Sequence, residues 1–352
     1  MKTFSASMKM MLATALCVFM ASCTKTEING TAIEQEPDVY QISLGWTGEI
    51  EIDEEPLVRS GNNTDLYGIQ AYYAPYNGEE TEQKSTTWTR YAFGLFSGDE
   101  DIKISLLKGY KYKFEATMVV DGKNLINKST NPERYWQPFY ASGTESDPSQ
   151  LLGTFTYQSA TYMSYLTSGY TYLASGGLYY RPNGCDRYYG ELVDYVPGLN
   201  NNKAKIHMKR ASFGAKFKAQ GKLAKEGTLE IQMTDSPKIN IDLSSGAKEY
   251  SDIYCFRDVK SSYTYDKGNY TETVDVSMNW HQPDGKVVPF GTHKITYKRN
   301  ATTVVTVKIE STNADEGIGL EYDEVGEMPE DGENDAVIED GSRVDTEIET
   351  NK

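Results

Sequence analysis

The chain has 352 residues, of which 38% are apolar and 27 are tyrosines, and its formal net charge is -16. That length allows two domains of ordinary size, and the dominance of strand-forming residues favours an all-β protein. Residues 315–352 contain fifteen acids and two bases, so 13 of the 16 surplus negative charges lie there. Because neither part of the chain offers a basic face, the composition argues against nucleic-acid binding.

Residues 1–23 have the pattern of a secretory signal. A lysine-bearing start is followed by an apolar run, MMLATALCVFM (residues 10–20), which is too short to span a bilayer. The small pair Ala21-Ser22 then precedes Cys23, and this ending resembles the lipobox of a bacterial lipoprotein. The resemblance implies that Cys23 carries lipid and becomes the first mature residue. A plain signal peptide cut nearby is the alternative, and both predict export.

After a polar tether over residues 24–38, residues 39–197 are predicted to form an antiparallel β domain. The clearest strand is YKYKFEATMVV (residues 110–120), whose aromatic and apolar residues share one face. The opposite face, which includes Lys113 and Glu115, is polar and predicts a solvated side of the sheet.

The strand pattern stops between residues 127 and 150, where three prolines surround four aromatic residues. Long loops in compact domains often carry function. Tyr135, Trp136, Phe139 and Tyr140 are therefore candidate ligand-binding residues, since an aromatic side chain suits sugar or protein surfaces. Packing in the core or within the loop is the alternative.

A second β domain is predicted over residues 203–312, after the turn-forming run PGLNNN (residues 197–202). Its strand patterns recur at the short spacing of a β-sandwich, and the apolar face changes near residues 210–212, which predicts a bulge or bend. The acidic residues 313–352 are predicted to be a disordered tail. The alternative for this tail is a short strand, formed on meeting a partner and containing Val337, Ile338, Val344 and Ile348.

No pattern of a catalytic, cofactor or metal site is found, so we predict that the protein is not an enzyme and needs no cofactor. The three histidines lack the spacing of metal ligands. Cys185 and Cys255 remain in the folded part after the signal is removed. They are either a disulfide, which export permits, or two buried thiols.

Together these features resemble the fimbrillin-like lipoproteins of the Bacteroidales. The resemblance rests on the lipobox at Cys23, on KGYKYKFEATMVV (residues 108–120) and on KRASFGAKFKAQ (residues 209–220), and it covers residues 39 to about 309. It implies two tandem transthyretin-like β-sandwiches and attachment to the outer membrane through the N-terminal lipid. It also implies display at the cell surface as a fimbrial or adhesive subunit.

In polymerising members of that family, a trypsin-like protease cuts after an arginine that follows the first strand, and a strand of a neighbouring subunit fills the resulting groove. Arg59 is the candidate for such a cut site in this chain, but it lies after two predicted strands and no other feature marks it. The acidic C-terminus also departs from the usual donor strand. These departures favour an accessory or tip subunit, or a relative that no longer polymerises, over a major pilin. A surface lipoprotein that binds glycans is the alternative function.

Overall fold

The computed structural model describes residues 37–48, 64–76, 78, 86–97, 102–125, 140–141, 153–160, 162–164, 166–169, 171–172, 179–182, 184–246, 248–264, 270–310 and 318–328. Within these ranges the chain is β-structure with two short helices, α1 (Gly122–Leu125) and α2 (Val259–Thr264), which confirms the all-β prediction. The strands are β1 (Val39–Gly48), β2 (Leu66–Pro75), β3 (Thr89–Ser97), β4 (Lys103–Leu107), β5 (Tyr110–Val119), β6 (Tyr140–Ala141), β7 (Thr154–Tyr157), β8 (Met163–Ser164), β9 (Thr171–Tyr172), β10 (Tyr179–Tyr180), β11 (Arg187–Tyr195), β12 (Lys203–Arg210), β13 (Ser212–Gln220), β14 (Thr228–Met233), β15 (Ile239–Asp242), β16 (Glu249–Cys255), β17 (Thr271–His281), β18 (Val287–Lys298), β19 (Ala301–Ile309) and β20 (Ile318–Glu327).

The N-terminal half is organised by one eight-stranded sheet in the order β4-β1-β12-β11-β5-β2-β3-β7. Successive side chains of a strand point to opposite faces of the sheet, so alternate residues such as Tyr112, Phe114 and Ala116 of β5 enter one core. The backbone of Ser105 in the edge strand β4 donates a hydrogen bond to Tyr157 in the opposite edge strand β7. The sheet is therefore rolled over its core until its two edges meet.

The C-terminal half contains two four-stranded sheets, β16-β13-β19-β20 and β15-β14-β17-β18. Phe213 and Phe217 of the first sheet share a buried core with Met278 and Trp280 of the second. The Phe213 ring also stacks on Tyr297 of β18, with centroids 4.4 Å apart. Two sheets that enclose one apolar core form the β-sandwich expected for this half.

The boundary between the halves lies later than we predicted. β12 belongs to the N-terminal sheet, where it pairs with β1 and β11, and does not open the second domain. Residues 197–202 form the turn between β11 and β12, in which Gly198 and Asn201 are hydrogen-bonded to each other. The chain crosses to the sandwich at the buried residue Ala211, which is where the apolar face changes.

The predicted disordered tail begins with a strand. β20 pairs antiparallel with β19 along its length, because the main-chain hydrogen bonds of a ladder do not depend on side-chain charge. Leu320 packs against the sandwich core and Met328 is buried at the end of the strand. The prediction of disorder is thus wrong for residues 318–328, and residues 329–352 lie outside the described ranges.

Candidate functional site: the first strand and its neighbours

Strand β1 lies inside its sheet although it is the first described strand of the chain. Its amino half pairs antiparallel with β4, from Val39 opposite Leu107 to Ser43 opposite Lys103. Its carboxyl half pairs parallel with β12, from Ser43 to Gly48. β1 therefore fills a slot, which we call the β1 slot, whose two walls are β4 and β12.

One face of β1 is apolar and buried. Tyr40, Ile42, Leu44 and Trp46 enter the N-terminal core, and the Trp46 ring stacks on Tyr67 of β2 with centroids 5.0 Å apart. Burying such a side chain contributes about 1.5–3 kcal/mol, so these four contribute about 6–12 kcal/mol. β1 is consequently a full member of the core, and its removal would expose an apolar slot.

The outer edge of β4 is bonded to three tyrosine hydroxyls. Tyr91 of β3 donates to the carbonyl oxygen of Ser105 at 2.7 Å, and the Ser105 amide donates to the hydroxyl of Tyr157 at 2.9 Å. The Leu107 amide donates to the hydroxyl of Tyr112 at 2.7 Å, and that hydroxyl donates to the Leu107 carbonyl at 3.1 Å. Four backbone groups of this edge are thereby satisfied by side chains.

The buried guanidinium of Arg210, at the end of β12, joins the N-terminal sheet to the sandwich. Arg210 donates from Nε to Oδ1 of Asp186 at 2.9 Å and from Nη2 to Oδ2 at 2.5 Å, and both side chains are buried. Arg210 Nη1 also donates to Asn300 Oδ1 at 3.2 Å and to the carbonyl oxygen of Met328 at 3.3 Å. One guanidinium thus links the N-terminal sheet to the turn before β19 and to the residue after β20.

Cys185 and Cys255 meet at this junction as two buried thiols. The Sγ atom of Cys255 donates a hydrogen bond to the carbonyl oxygen of Cys185 at 2.8 Å, so the two thiols lie next to each other. That thiol contact lowers the pKa of Cys185, with a further contribution from the charge of Arg187, whereas burial raises the pKa of Cys255. The structure therefore brings the two cysteines together without a disulfide.

A second polar cluster lies where we predicted a solvated face. Glu115 of β5 is buried because α2 of the C-terminal half packs near it. Lys260 of α2 lies 3.1 Å from Oε1 of Glu115 and 2.6 Å from Oε1 of Glu191. Burial alone would raise the pKa of Glu115, but bonds to Lys113, Lys260 and the Tyr72 hydroxyl lower it below its ordinary value. This cluster attaches α2 to the N-terminal sheet.

Most of the other predicted site residues lie outside the described ranges. Cys23, Arg59, Tyr135, Trp136 and Phe139 are among them, so their lipidation, cleavage and ligand binding stay predictions. Tyr140 belongs to the short strand β6 and pairs with Ser164 of β8. Three of the four predicted aromatic residues thus lie outside the described ranges, and ligand binding by this cluster stays a prediction.

The described residues contain neither a candidate metal site nor a candidate membrane-spanning helix. The described stretches contain no group of three or more His, Cys, Asp and Glu side chains that could hold a metal ion. In the same stretches, no helix has the length and apolar character needed to cross a membrane.

No protein-family model and no curated protein matches the sequence. Solved structures similar to this chain include a C-terminally truncated form of the tip fimbrial protein Mfa3 of Porphyromonas gingivalis. The two sequences are 9% identical, the match covers 81% of this chain and 99% of the Mfa3 chain, and the TM-score is 0.32. The fimbrial anchor protein Mfa2 of the same organism has 7% identity, coverages of 81% and 97% and a TM-score of 0.35. A Bacteroides thetaiotaomicron protein proposed to bind polysaccharide (DUF1812) has 9% identity, coverages of 77% and 92% and a TM-score of 0.35.

Two of these three structures are Bacteroidales fimbrial proteins, in agreement with the resemblance noted in the sequence. Because all three TM-scores are below 0.5, the proposals that follow rest on the strands and contacts of this chain.

Proposed function

We propose that this protein is a structural or adhesive subunit of the bacterial cell surface and that it assembles by exchange of its first strand. The observation that carries the proposal is the position of β1, which is the first described strand yet fills an internal slot. Arg59 follows β1 and precedes β2, so cleavage there would separate β1 from the rest of the chain. The function is non-enzymatic.

Strand exchange is favoured by the physics of the slot. Leaving the slot empty would expose the core residues that β1 covers and would unpair backbone groups of β4 and β12. A strand from a neighbouring subunit restores both the apolar burial and the backbone hydrogen bonds if it carries apolar side chains at alternate positions. β1 would therefore leave only when such a strand replaces it.

An accessory or tip subunit fits this chain better than a major pilin. β20 is already paired with β19 and is anchored by Met328, so the described C-terminal strand completes its own sandwich. The subunit would then accept a strand through its β1 slot without donating β20. Lipid on Cys23 would hold the precursor in the outer membrane, and Cys23→Ala should release it from membranes.

The first experiment is a gel of protein sheared from native cells, run with and without boiling and probed for this chain. We expect heat-sensitive species heavier than the monomer, in which the mature N-terminus is Ser60. Arg59→Gln should abolish both features, whereas Arg90→Gln, which changes an exposed arginine of β3, should abolish neither. Monomer alone in every lane would contradict strand exchange.

Glycan binding is the second candidate function, and exposed aromatic residues favour it. Tyr157 is 47% exposed and Tyr162 is 36% exposed, with the guanidinium of Arg90 lying 4.1 Å from the centre of the Tyr162 ring. Trp136→Ala should abolish binding on a glycan panel without lowering the Tm. Trp88→Ala is the matched control, and equal loss in both variants would argue against a specific site at Trp136.

A further inference from the structure

The tyrosine hydroxyls bond the backbone groups of β4 that point away from β1. In an antiparallel pair, residues alternate between those that bond the partner strand and those that point away from it. The Leu44 amide donates to the Ile102 carbonyl at 2.9 Å. The backbone amide and carbonyl groups of Ile104 and Leu106 in β4 therefore also point towards β1. Ser105 and Leu107 must then point away from β1, towards the tyrosines.

The three tyrosines come from strands that do not depend on β1 for pairing. Tyr91 lies on β3, Tyr112 on β5 and Tyr157 on β7, and these strands pair with β2, β11 or each other. The Tyr91 ring makes edge-to-face contacts with Tyr112 and Tyr157, with centroids 5.3 Å and 5.5 Å apart. Burial raises the pKa of Tyr91 to about 12, so its hydroxyl remains a donor at neutral pH.

We propose that Tyr91, Tyr112 and Tyr157 hold β4 in place independently of β1, so that the β1 slot keeps this wall when β1 is exchanged. This inference rests on the strand exchange proposed above. The incoming segment would be an extended peptide with apolar side chains at alternate positions, like Tyr40, Ile42, Leu44 and Trp46. The same hydroxyls occupy the outer edge of β4, where a strand could otherwise add.

The test uses the full chain and compares amide hydrogen exchange in β1 and β4. Ile42→Ala loosens β1, because it deletes a fully buried side chain of that strand. In this variant we expect exchange at Leu44 to become at least tenfold faster, as about 1.4 kcal/mol of lost local stability would give. Exchange at Ser105 and Leu107 should change by less than twofold. Ile42→Val is the milder substitution if the alanine variant does not fold.

Tyr91→Phe, added to Ile42→Ala, isolates the effect of one hydroxyl. Tyr91 accepts no hydrogen bond from a β4 amide, so faster exchange at Ser105 and Leu107 in this variant would report movement of β4 itself. Loss of one hydrogen bond predicts about a fivefold increase. Tyr73→Phe is the control, because the Tyr73 ring touches Tyr91 and its hydroxyl makes no bond to β4 among the described residues.

Two results would overturn the proposal. Ser105 and Leu107 would exchange as fast as Leu44 in Ile42→Ala if β4 opened together with β1. Exchange at Ser105 and Leu107 would be equally fast in Tyr91→Phe and in Tyr73→Phe if the Tyr91 hydroxyl did not hold β4. Both measurements use an isolated chain without a partner strand, so they distinguish failure of this inference from failure of strand exchange, which the gel of sheared protein tests.

Discussion

Replacing Arg210 by methionine should destabilise the folded chain by about 3–5 kcal/mol, because it leaves the buried carboxylate of Asp186 without its cation. Arg210 donates two hydrogen bonds to that carboxylate, at 2.9 Å and 2.5 Å. The substitution also removes the donor that serves Asn300 and the carbonyl of Met328. Methionine keeps most of the apolar length of the side chain, so lost packing contributes little.

Urea unfolding followed by tryptophan fluorescence measures this change in the free energy of unfolding. In thermal unfolding, the Tm should fall by about 6–20 °C, at about 2–4 °C per kcal/mol. The exposed Arg257 provides the matched control, since Arg257→Met should change stability by less than about 0.5 kcal/mol. Adding Asp186→Leu to Arg210→Met should recover much of the loss, because a buried pair replaced by apolar residues is often tolerated. A cost below about 1 kcal/mol for Arg210→Met would refute the view that this pair is desolvated.

Three further predictions concern separate regions of the fold. Because the folded-state pKa of Glu115 is lowered, the stability that it supplies is complete above its unfolded pKa of about 4.3 and is lost as the pH falls through the lower folded value. Glu115→Gln should therefore weaken the acid dependence of stability, and an unchanged dependence would contradict this reading of the cluster. The buried thiols of Cys185 and Cys255 should react with a thiol reagent only after unfolding, and rapid reaction of the native protein would contradict their burial. Trp46→Ala should cost about 3–5 kcal/mol in urea unfolding, through lost burial and the cavity it leaves, and a cost below 1 kcal/mol would mean that β1 is loosely held.

The individual strands were largely predictable, whereas their assignment to sheets was not. Alternation identifies a strand because one of its faces is buried, and this worked for β5 and β12. It gives no information on which partner a strand chooses. β12 pairs with β1, whose Ser43 lies opposite Lys203, and no local pattern encodes a contact between residues so far apart in sequence.

Two predictions that rest on charge patterns are wrong for the same physical reason. The Glu115 face of β5 and the segment that forms β20 both contain charged residues, which usually remain in solvent. Glu115 is buried because Lys260, 145 positions away in the sequence, supplies its counter-charge, and β20 is held by main-chain pairing with β19. In both cases the stabilising partner is distant in sequence, so composition within a local window could not show it.

The β1 slot can stay intact during exchange only if each wall is anchored from its far side. β12 meets this requirement because it pairs with β11 on the side opposite β1 and because Arg210 at its end is bound to Asp186. β4 has no second neighbouring strand in the described sheet, being the edge strand, so its far side relies on the hydroxyls of Tyr91, Tyr112 and Tyr157. The two walls therefore use different anchors, a strand ladder for β12 and side-chain hydrogen bonds for β4. Since these four side-chain hydrogen bonds are weaker than a full ladder, β4 should be the wall that yields first. Substitutions at these tyrosines should therefore affect strand exchange more than substitutions on the exposed face of β11.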